Sequence, residues 1–245
     1  MTRCAVITTL NEAMYIGELV ADLKRNDWRV IVIDDGSTDE TREQAAHYGA
    51  DVLVTQRVGI GPALLAGWRY ALSEYAPAYV LQLDAGGSHD PADARGMVRA
   101  LNAGADMVIG SRFVAGASYV GGPWQRPIMS RAAAMACNAL QGSHVHDWTS
   151  GYRLFTADAL SRLLQYKYWQ KMHAWQIAVL ARAHALGLTV VEVPITYRAG
   201  RSSFNGKVAL EAANTWLDIM HHIPPKRRVY ERPKATSIAY PDGDR

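Results

Sequence analysis

The chain has 245 residues, enough for one sizeable core and short for two independent domains. Apolar residues make up 49% and charged residues 20%, an ordinary globular composition without low-complexity bulk. A net charge of +3 is too small to imply a nucleic-acid partner from the total alone.

"CAVITT" (4–9) reads as a buried strand, and "EAMYIGELVADLKR" (12–25) carries apolar residues at helical spacing. "RVIVID" (29–34) is the next strand, and "STDETREQAAHYG" (37–49) opens like a capped helix. "ADVLV" (50–54) precedes a glycine-containing loop and the helix "PALLAGWRYALSEY" (62–75). "AYVLQLD" (78–84) and "ADMVIGS" (105–111) bracket a further helix that starts at Pro91. Strands separated by helical patterns predict βαβ units, hence an α/β fold with a mostly parallel sheet and helices on both faces. Ligands of such sheets bind beyond the carboxyl ends of the strands, here residues 8–12, 34–37, 84–89 and 110–112.

The second half is less regular. A glycine-rich loop (115–123) and a helix (126–141) lead to the irregular stretch "VHDWTSGYRLFT" (145–156). Two more helical stretches precede the strand "LTVVEVPITY" (188–197) and the polar loop "RAGRSSFNGK" (198–207). A last helix follows. Residues 1–223 read as a single domain, and 224–245 as a basic, flexible tail. No apolar run reaches the roughly 18–20 residues of a membrane span, and "MTRCAVITTLNEA" has too short an apolar stretch for a signal peptide. Cys4 and Cys137 lie far apart without metal-ligand spacing, which points to a reducing compartment. A cytoplasmic protein, at most attached to the cytoplasmic face of a membrane, is expected.

Several strand ends carry polar groups of two readings. In "VIDDGSTDE", Ser37 with Glu40 three residues on is a capping box, while Asp35 is placed to face the cleft. In "TTLNEA", Asn11 and Glu12 either start the helix or line a pocket. "GIGPALLAGW" (59–68) lacks the Lys-Ser/Thr of a phosphate loop, so Pro62 marks a first helical turn behind a glycine loop. In "LDAGGSHDP" (83–91), Asp90 is expected to cap the helix at Pro91. Asp84 has no such duty, and one carboxylate plus substrate phosphates can hold a hard divalent cation. "HDWTSGYR" (146–153) is a turn, or else it supplies Asp147 as a base and Arg153 as a phosphate clamp. His144, His146, His173 and His184 share no metal-ligand spacing.

Taken in order, "VITTLNEA", "VIDDGSTD", "LQLDAGGSHDP", "IGSRF" and "DWTSGYRLF" resemble the family 2 glycosyltransferases. The resemblance is strongest to the dolichyl-phosphate mannose synthase and polyprenyl-phosphate branch, and covers residues 3–222. It implies a GT-A fold, with Thr9, Asn11 and Glu12 lining the nucleotide pocket and Asp35 holding the base or ribose. Asp84 then matches the first Asp of the DxD-type motif and is the metal ligand, the cation being Mg2+ or Mn2+. Arg112 and Arg131 match positions that meet phosphates, and Asp147 and Arg153 match the acceptor-side motif. Ser202, Ser203 and Lys207 fall in a stretch resembling a mobile "GxSK" lid. The departure is Gly86, where the family carries a second Asp. The cation is therefore expected to bind weakly, through Asp84 and the donor diphosphate, with Ser88 or Asp90 helping through water. Metal independence is the alternative, since arginines also neutralise a leaving diphosphate.

The resemblance implies an inverting transfer from a nucleotide-sugar of the GDP-mannose or UDP-glucose type. A lipid phosphate acceptor needs no strong base, and Arg112, Arg131 and Arg153 would clamp it. A hydroxyl acceptor needs one, with Asp147 the candidate. The last helix carries an apolar stripe of Val208, Ala212, Trp216, Ile219, Met220 and Ile223, which either lies on a bilayer or packs on the protein core. The tail "KRRVYERPK" keeps open a nucleic-acid acceptor such as a hydroxymethylated DNA base. A non-catalytic nucleotide-sugar binder is the remaining alternative.

Overall fold

A computed structural model describes residues 1–200 and 206–224; Ser202, Ser203 and the basic segment 225–245 lie outside the described residues. The first half alternates strands and helices. In order these are β1 (Arg3–Thr9), α1 (Ala13–Arg25), β2 (Arg29–Asp34), α2 (Thr41–His47), β3 (Asp51–Val54), α3 (Ile60–Tyr75) and β4 (Tyr79–Asp84). A short 3-10 turn (Pro91–Asp93), α4 (Ala94–Asn102) and β5 (Met107–Ser111) follow. Asp90 caps that turn as expected, its carboxylate accepting the Ala92 N–H at 2.9 Å. The second half holds β6 (Ser118–Val120), α5 (Gln125–Gln141), β7 (Arg153–Thr156), α6 (Ala157–Leu163), α7 (Ala174–Ala185), β8 (Val190–Pro194), β9 (Thr196–Arg198) and α8 (Gly206–His222).

The main sheet has the order β3-β2-β1-β4-β7-β5-β8, parallel except at β7. Both faces are covered, so β1 reads as an unbroken apolar run whose side chains still alternate between two cores. Cys4 and Val6 point into one core with Trp68, Trp148, Phe155 and Trp175, while Ala5 and Ile7 enter the other with Leu23, Trp28 and Met97. Helix α3 packs closest, because Gly67 has no Cβ: one built there would stand 2.5 Å from Val6 Cγ1 and 3.0 Å from Ile33 Cγ1.

The antiparallel strand β7 was not foreseen, since "RLFT" is only four residues inside a stretch read as irregular. It pairs Arg153 with both Gln82 of β4 and Ile109 of β5. Running against its neighbours, it begins where they end. The loop before it, residues 147–152, is thereby delivered to the carboxyl edge of the sheet.

Three other expectations change. Helix α2 starts at Thr41, not Ser37, because the Ser37 side chain is used elsewhere. The single strand expected over 188–197 is two: β8 ends at Pro194, which carries no N–H, and β9 joins β6 in a separate two-stranded sheet. The stripe of α8 packs mostly on the protein itself, Ile219 and Ile223 being 1% and 4% exposed. Leu210, Leu217 and Met220 point outward instead.

Candidate active site

The carboxyl ends of β1 and β2 are tied together by short polar contacts. Asn11 sits in the left-handed region at φ 58°, a conformation that Asn tolerates. Its N–H donates to Ser37 Oγ at 2.9 Å, and its Oδ1 accepts the Thr38 N–H at 2.9 Å. The Glu12 N–H donates to Thr41 Oγ1 at 2.9 Å. The capping-box reading of Ser37 is thus replaced by a bond between loops.

The two acids of "DDG" are bound to backbone. Buried Asp34 accepts the N–H groups of Gly36 and Ser37 at 3.1 and 2.9 Å. Asp35 accepts the Thr55 hydroxyl at 2.7 Å and the N–H groups of Val58 and Gly59, each at 2.8 Å. Asp35, expected to meet a base or ribose, closes the 55–59 loop through these bonds and is partly exposed. Thr9 is 4% exposed, and its Oγ1 is buried with no hydrogen-bond partner among the described residues.

Asp84 ends β4 with its side chain half exposed. Its backbone N–H points at His89 Nδ1 at 3.4 Å, which closes the turn "DAGGSH" on itself. His89 is fully buried and stacked on Tyr152 with ring centroids 4.9 Å apart. Burial holds its pKa below the ordinary imidazole value, against the opposing pull of Asp84. Gly151, from the loop before β7, presses on Asp84 from the other side. A Cβ on it would stand 3.0 Å from Asp84 Oδ2 and 3.1 Å from Oδ1. Two motifs 67 positions apart in sequence, at Asp84 and Gly151, therefore meet at one carboxylate.

The acceptor-side residues form a buried ion pair. Arg112 donates from Nε to Asp147 Oδ2 at 2.7 Å and from NH2 to Oδ1 at 2.6 Å; its backbone N–H reaches Oδ2 at 3.0 Å. NH2 also donates to Thr149 Oγ1 at 2.6 Å. Burial alone would raise the Asp147 carboxyl, but the hydrogen bonds and charge of Arg112 hold it below its usual value. Glu192 of β8 fixes the loop by accepting the N–H groups of His146 and Asp147 at 2.8 and 2.9 Å. Asp147, expected as a base, is 0% exposed and has both carboxylate oxygens bonded to Arg112.

Arg153, expected to clamp a phosphate, is also 0% exposed. It donates to the carbonyls of Ser150, Gln176 and Trp148 at 2.8–3.0 Å, and burial pushes its pKa down to about 9. Its work is to hold the 148–153 loop against α7. Arg131 of α5 is exposed, with its guanidinium 4.9 Å from the Phe113 ring. The Arg112 guanidinium lies 5.1 Å from the same ring and 5.1 Å from Tyr197. Tyr197 in turn lies 5.6 Å from the His89 ring. One aromatic cluster therefore links the Asp84 turn to the pair of arginines.

The structure thus sets Glu12 and Gly151 against the Asp84 turn and Arg112 and Arg131 against one Phe113 ring, while Asp147 and Arg153 are buried in bonds to the protein itself. Lys207 lies in the first turn of α8, and Ser203 falls outside the described residues. Sequence reasoning missed His89, Gly151 and Glu192. His89 stands in "SHDP" beside the motif already singled out, so its position was available; nothing in the sequence marked Glu192.

A parallel half-sheet joined through an antiparallel strand to a second half, with an acid at the central strand end, is the layout of the GT-A fold. The chain belongs to glycosyl transferase family 2, whose family model matches residues 4–164. It is 35% identical over 193 residues to a polyprenol monophosphomannose synthase of Mycolicibacterium smegmatis, covering 75% of this chain and 72% of the relative. An undecaprenyl-phosphate mannosyltransferase of Micrococcus luteus is 33% identical over 225 residues, covering 86% and 91%. Among solved structures, glucosyl-3-phosphoglycerate synthase from Mycobacterium tuberculosis with Mn2+, UDP-glucose and phosphoglyceric acid superposes with TM-score 0.69 at 22% identity. That match covers 89% of this chain and 79% of the other, and bears on the fold.

Proposed function

We propose that the enzyme transfers a sugar, with inversion, from a nucleotide-sugar to a polyprenyl phosphate. The observation that carries this reading is the Arg112–Asp147 pair. A hydroxyl acceptor needs a base, yet the acid expected to serve is buried, doubly hydrogen-bonded and held anionic by Arg112. A phosphate monoester arrives already nucleophilic, and what it needs is cationic donors. Arg131 presents an exposed guanidinium beside Arg112, and both stack near Phe113. The polyprenol and undecaprenyl-phosphate relatives support the same acceptor, and their names make a mannosyl nucleotide the first donor to test and UDP-glucose the second.

The lipid would approach across α5. Trp124, Ile128, Met129 and Met135 are 48–74% exposed there, on the helix that carries Arg131. An apolar face with flanking arginines suits the surface of an anionic bilayer. No helix among the described residues is long and apolar enough to cross a membrane.

A divalent cation fits at Asp84, weakly. The half-exposed carboxylate faces the cleft, and the missing Cβ of Gly151 leaves room beside both its oxygens. No group of three or more His, Cys, Asp or Glu side chains converges among the described residues, so donor phosphate oxygens must complete the shell. When bound, the cation offsets charge developing on the leaving diphosphate. The protein's own part is to hold Asp84 against His89 and Gly151, and to present Arg112 and Arg131 to the acceptor phosphate.

The decisive measurement is nucleoside diphosphate release from GDP-mannose and UDP-glucose, with and without polyprenyl phosphate and Mg2+ or Mn2+. Wild type should release diphosphate only with lipid and metal, and Asp84→Asn should lower the rate by about a hundredfold or more. Release that ignores lipid phosphate but answers to a hydroxyl acceptor would overturn the reading.

A further inference from the structure

Strand β8 is the last strand of the main sheet, and its one charged residue is Glu192, between Val191 and Val193. Glutamate is a poor strand former, and a charge on an edge strand ordinarily stands in water, where it discourages further pairing. Glu192 does neither of these things. Its side chain is 10% exposed, and both its oxygens are bonded. Oε1 accepts the Asp147 N–H at 2.9 Å; Oε2 accepts the His146 N–H at 2.8 Å and lies 2.8 Å from His146 Nδ1. A carboxylate bonded in this way is built into the 146–147 loop.

That loop carries the acid that holds Arg112. Asp147 takes Nε and NH2 of Arg112 with its two oxygens, and Thr149, two residues on, takes NH2 again. A guanidinium has five N–H donors in a fixed plane, and these bonds use the edge formed by Nε and NH2. NH1 makes no hydrogen bond among the described residues, so one edge of Arg112 is fixed to the protein and NH1 is left for a ligand. Where that edge points depends on where the Asp147 carboxylate stands. Arg112 itself follows β5, whose Ile109 pairs in register with Glu192. The contacts therefore close into a ring, from β8 to the loop, from the loop to Arg112, and through β5 back to β8. Asp147 supplies the charge in this ring. Glu192 supplies the position, because it bonds the Asp147 backbone rather than its side chain.

We infer that Glu192 is a positioning residue for the acceptor: by fixing the Asp147 backbone, it sets the direction in which Arg112 presents its unbonded edge to the acceptor phosphate. The inference rests on the acceptor reading above and deepens it. When Glu192 is removed, Arg112 and Asp147 stay paired but shift together with the loop. Acceptor binding then suffers, while the Asp84 turn and the donor bound there are left as they were.

The test is the KM for polyprenyl phosphate, measured by diphosphate release and compared with kcat and the donor KM. Glu192→Ala should raise the acceptor KM about tenfold, and Glu192→Gln, which keeps the shape and one acceptor oxygen, about threefold, with the donor KM unchanged. In an Arg112→Lys background the same substitutions should add almost nothing, because the two residues act as a unit. Melting curves establish that each variant folds, and Glu192→Gln carries the test if Glu192→Ala does not fold. The inference fails alone if the Glu192 variants lose melting temperature but keep the acceptor KM, or if they add their full effect to Arg112→Lys. It also fails alone if Arg131→Ala raises the acceptor KM and Arg112→Lys does not. If neither arginine variant raises it, the acceptor reading fails and takes this inference with it.

Discussion

The two halves of the sheet use acids in opposite ways. On the β1–β4 side, Asp34 and Asp35 are bound almost entirely by backbone N–H groups, so the polar work is short-range and knits neighbouring loops. On the β5–β8 side, Asp147 is bound by a guanidinium from another strand end, and Arg153 by three carbonyls from its own loop and α7. A backbone-bonded acid tolerates small movements of its own loop. A buried ion pair does not, because losing either partner leaves a charge with nothing to balance it. The β1–β4 side is stiff through local bonds, while the β5–β8 side is stiff only when its charges are complete.

That contrast can be broken first at Arg153. Arg153→Lys removes the planar fork that reaches three carbonyls and leaves buried acceptors unpaired, which should cost about 1–3 kcal/mol of unfolding free energy for each one lost. Chemical denaturation checks it; a variant as stable as wild type, with weaker acceptor binding, would return Arg153 to the phosphate.

Two glycines sharpen the comparison next. Gly67→Ala pushes a methyl group toward Val6 and Ile33 and should destabilise by about 1–3 kcal/mol, leaving the activity per folded molecule near wild type. Gly151→Ala pushes instead on the Asp84 carboxylate, whose side chain is half exposed and can swing. It should cost little stability but lower turnover by about tenfold or more. Comparing melting temperature with rate for this pair separates a core glycine from a site glycine.

The smallest effect is in acid. The Asp147 carboxyl is held below its ordinary value of 3.8, so the folded state binds that proton less readily than the unfolded chain. Its stabilisation is complete above the ordinary value and is lost as pH falls through the depressed one, at about 1.4 kcal/mol per unit of depression. Between about pH 5 and pH 3, wild type should therefore lose more melting temperature than Asp147→Asn, which cannot titrate there. Equal slopes would mean that the Arg112 pair is not the source of the depression.

The boundaries of β1, β2 and β4 were readable to within a residue, and so was the order of motifs that places the family. Parallel strands buried on both faces write themselves as continuous apolar runs, and each ends where its polar ligand-facing residues begin. Asp84 was legible for the same reason, as an acid at a strand end with no helix to cap. The direction of β7 was not legible, because four residues carry no record of which neighbours they will join or which way they will run. It follows that the roles of Asp147 and Arg153 were not legible either. A residue type shows what a side chain can bond to; only the packed structure decides whether that bond is made to a substrate or to the protein. The same holds for Glu12 and Gly86, 74 positions apart in sequence and in contact in space. Sequence shows a glycine at position 86, and only the tertiary structure shows that the Glu12 carboxylate packs beside it.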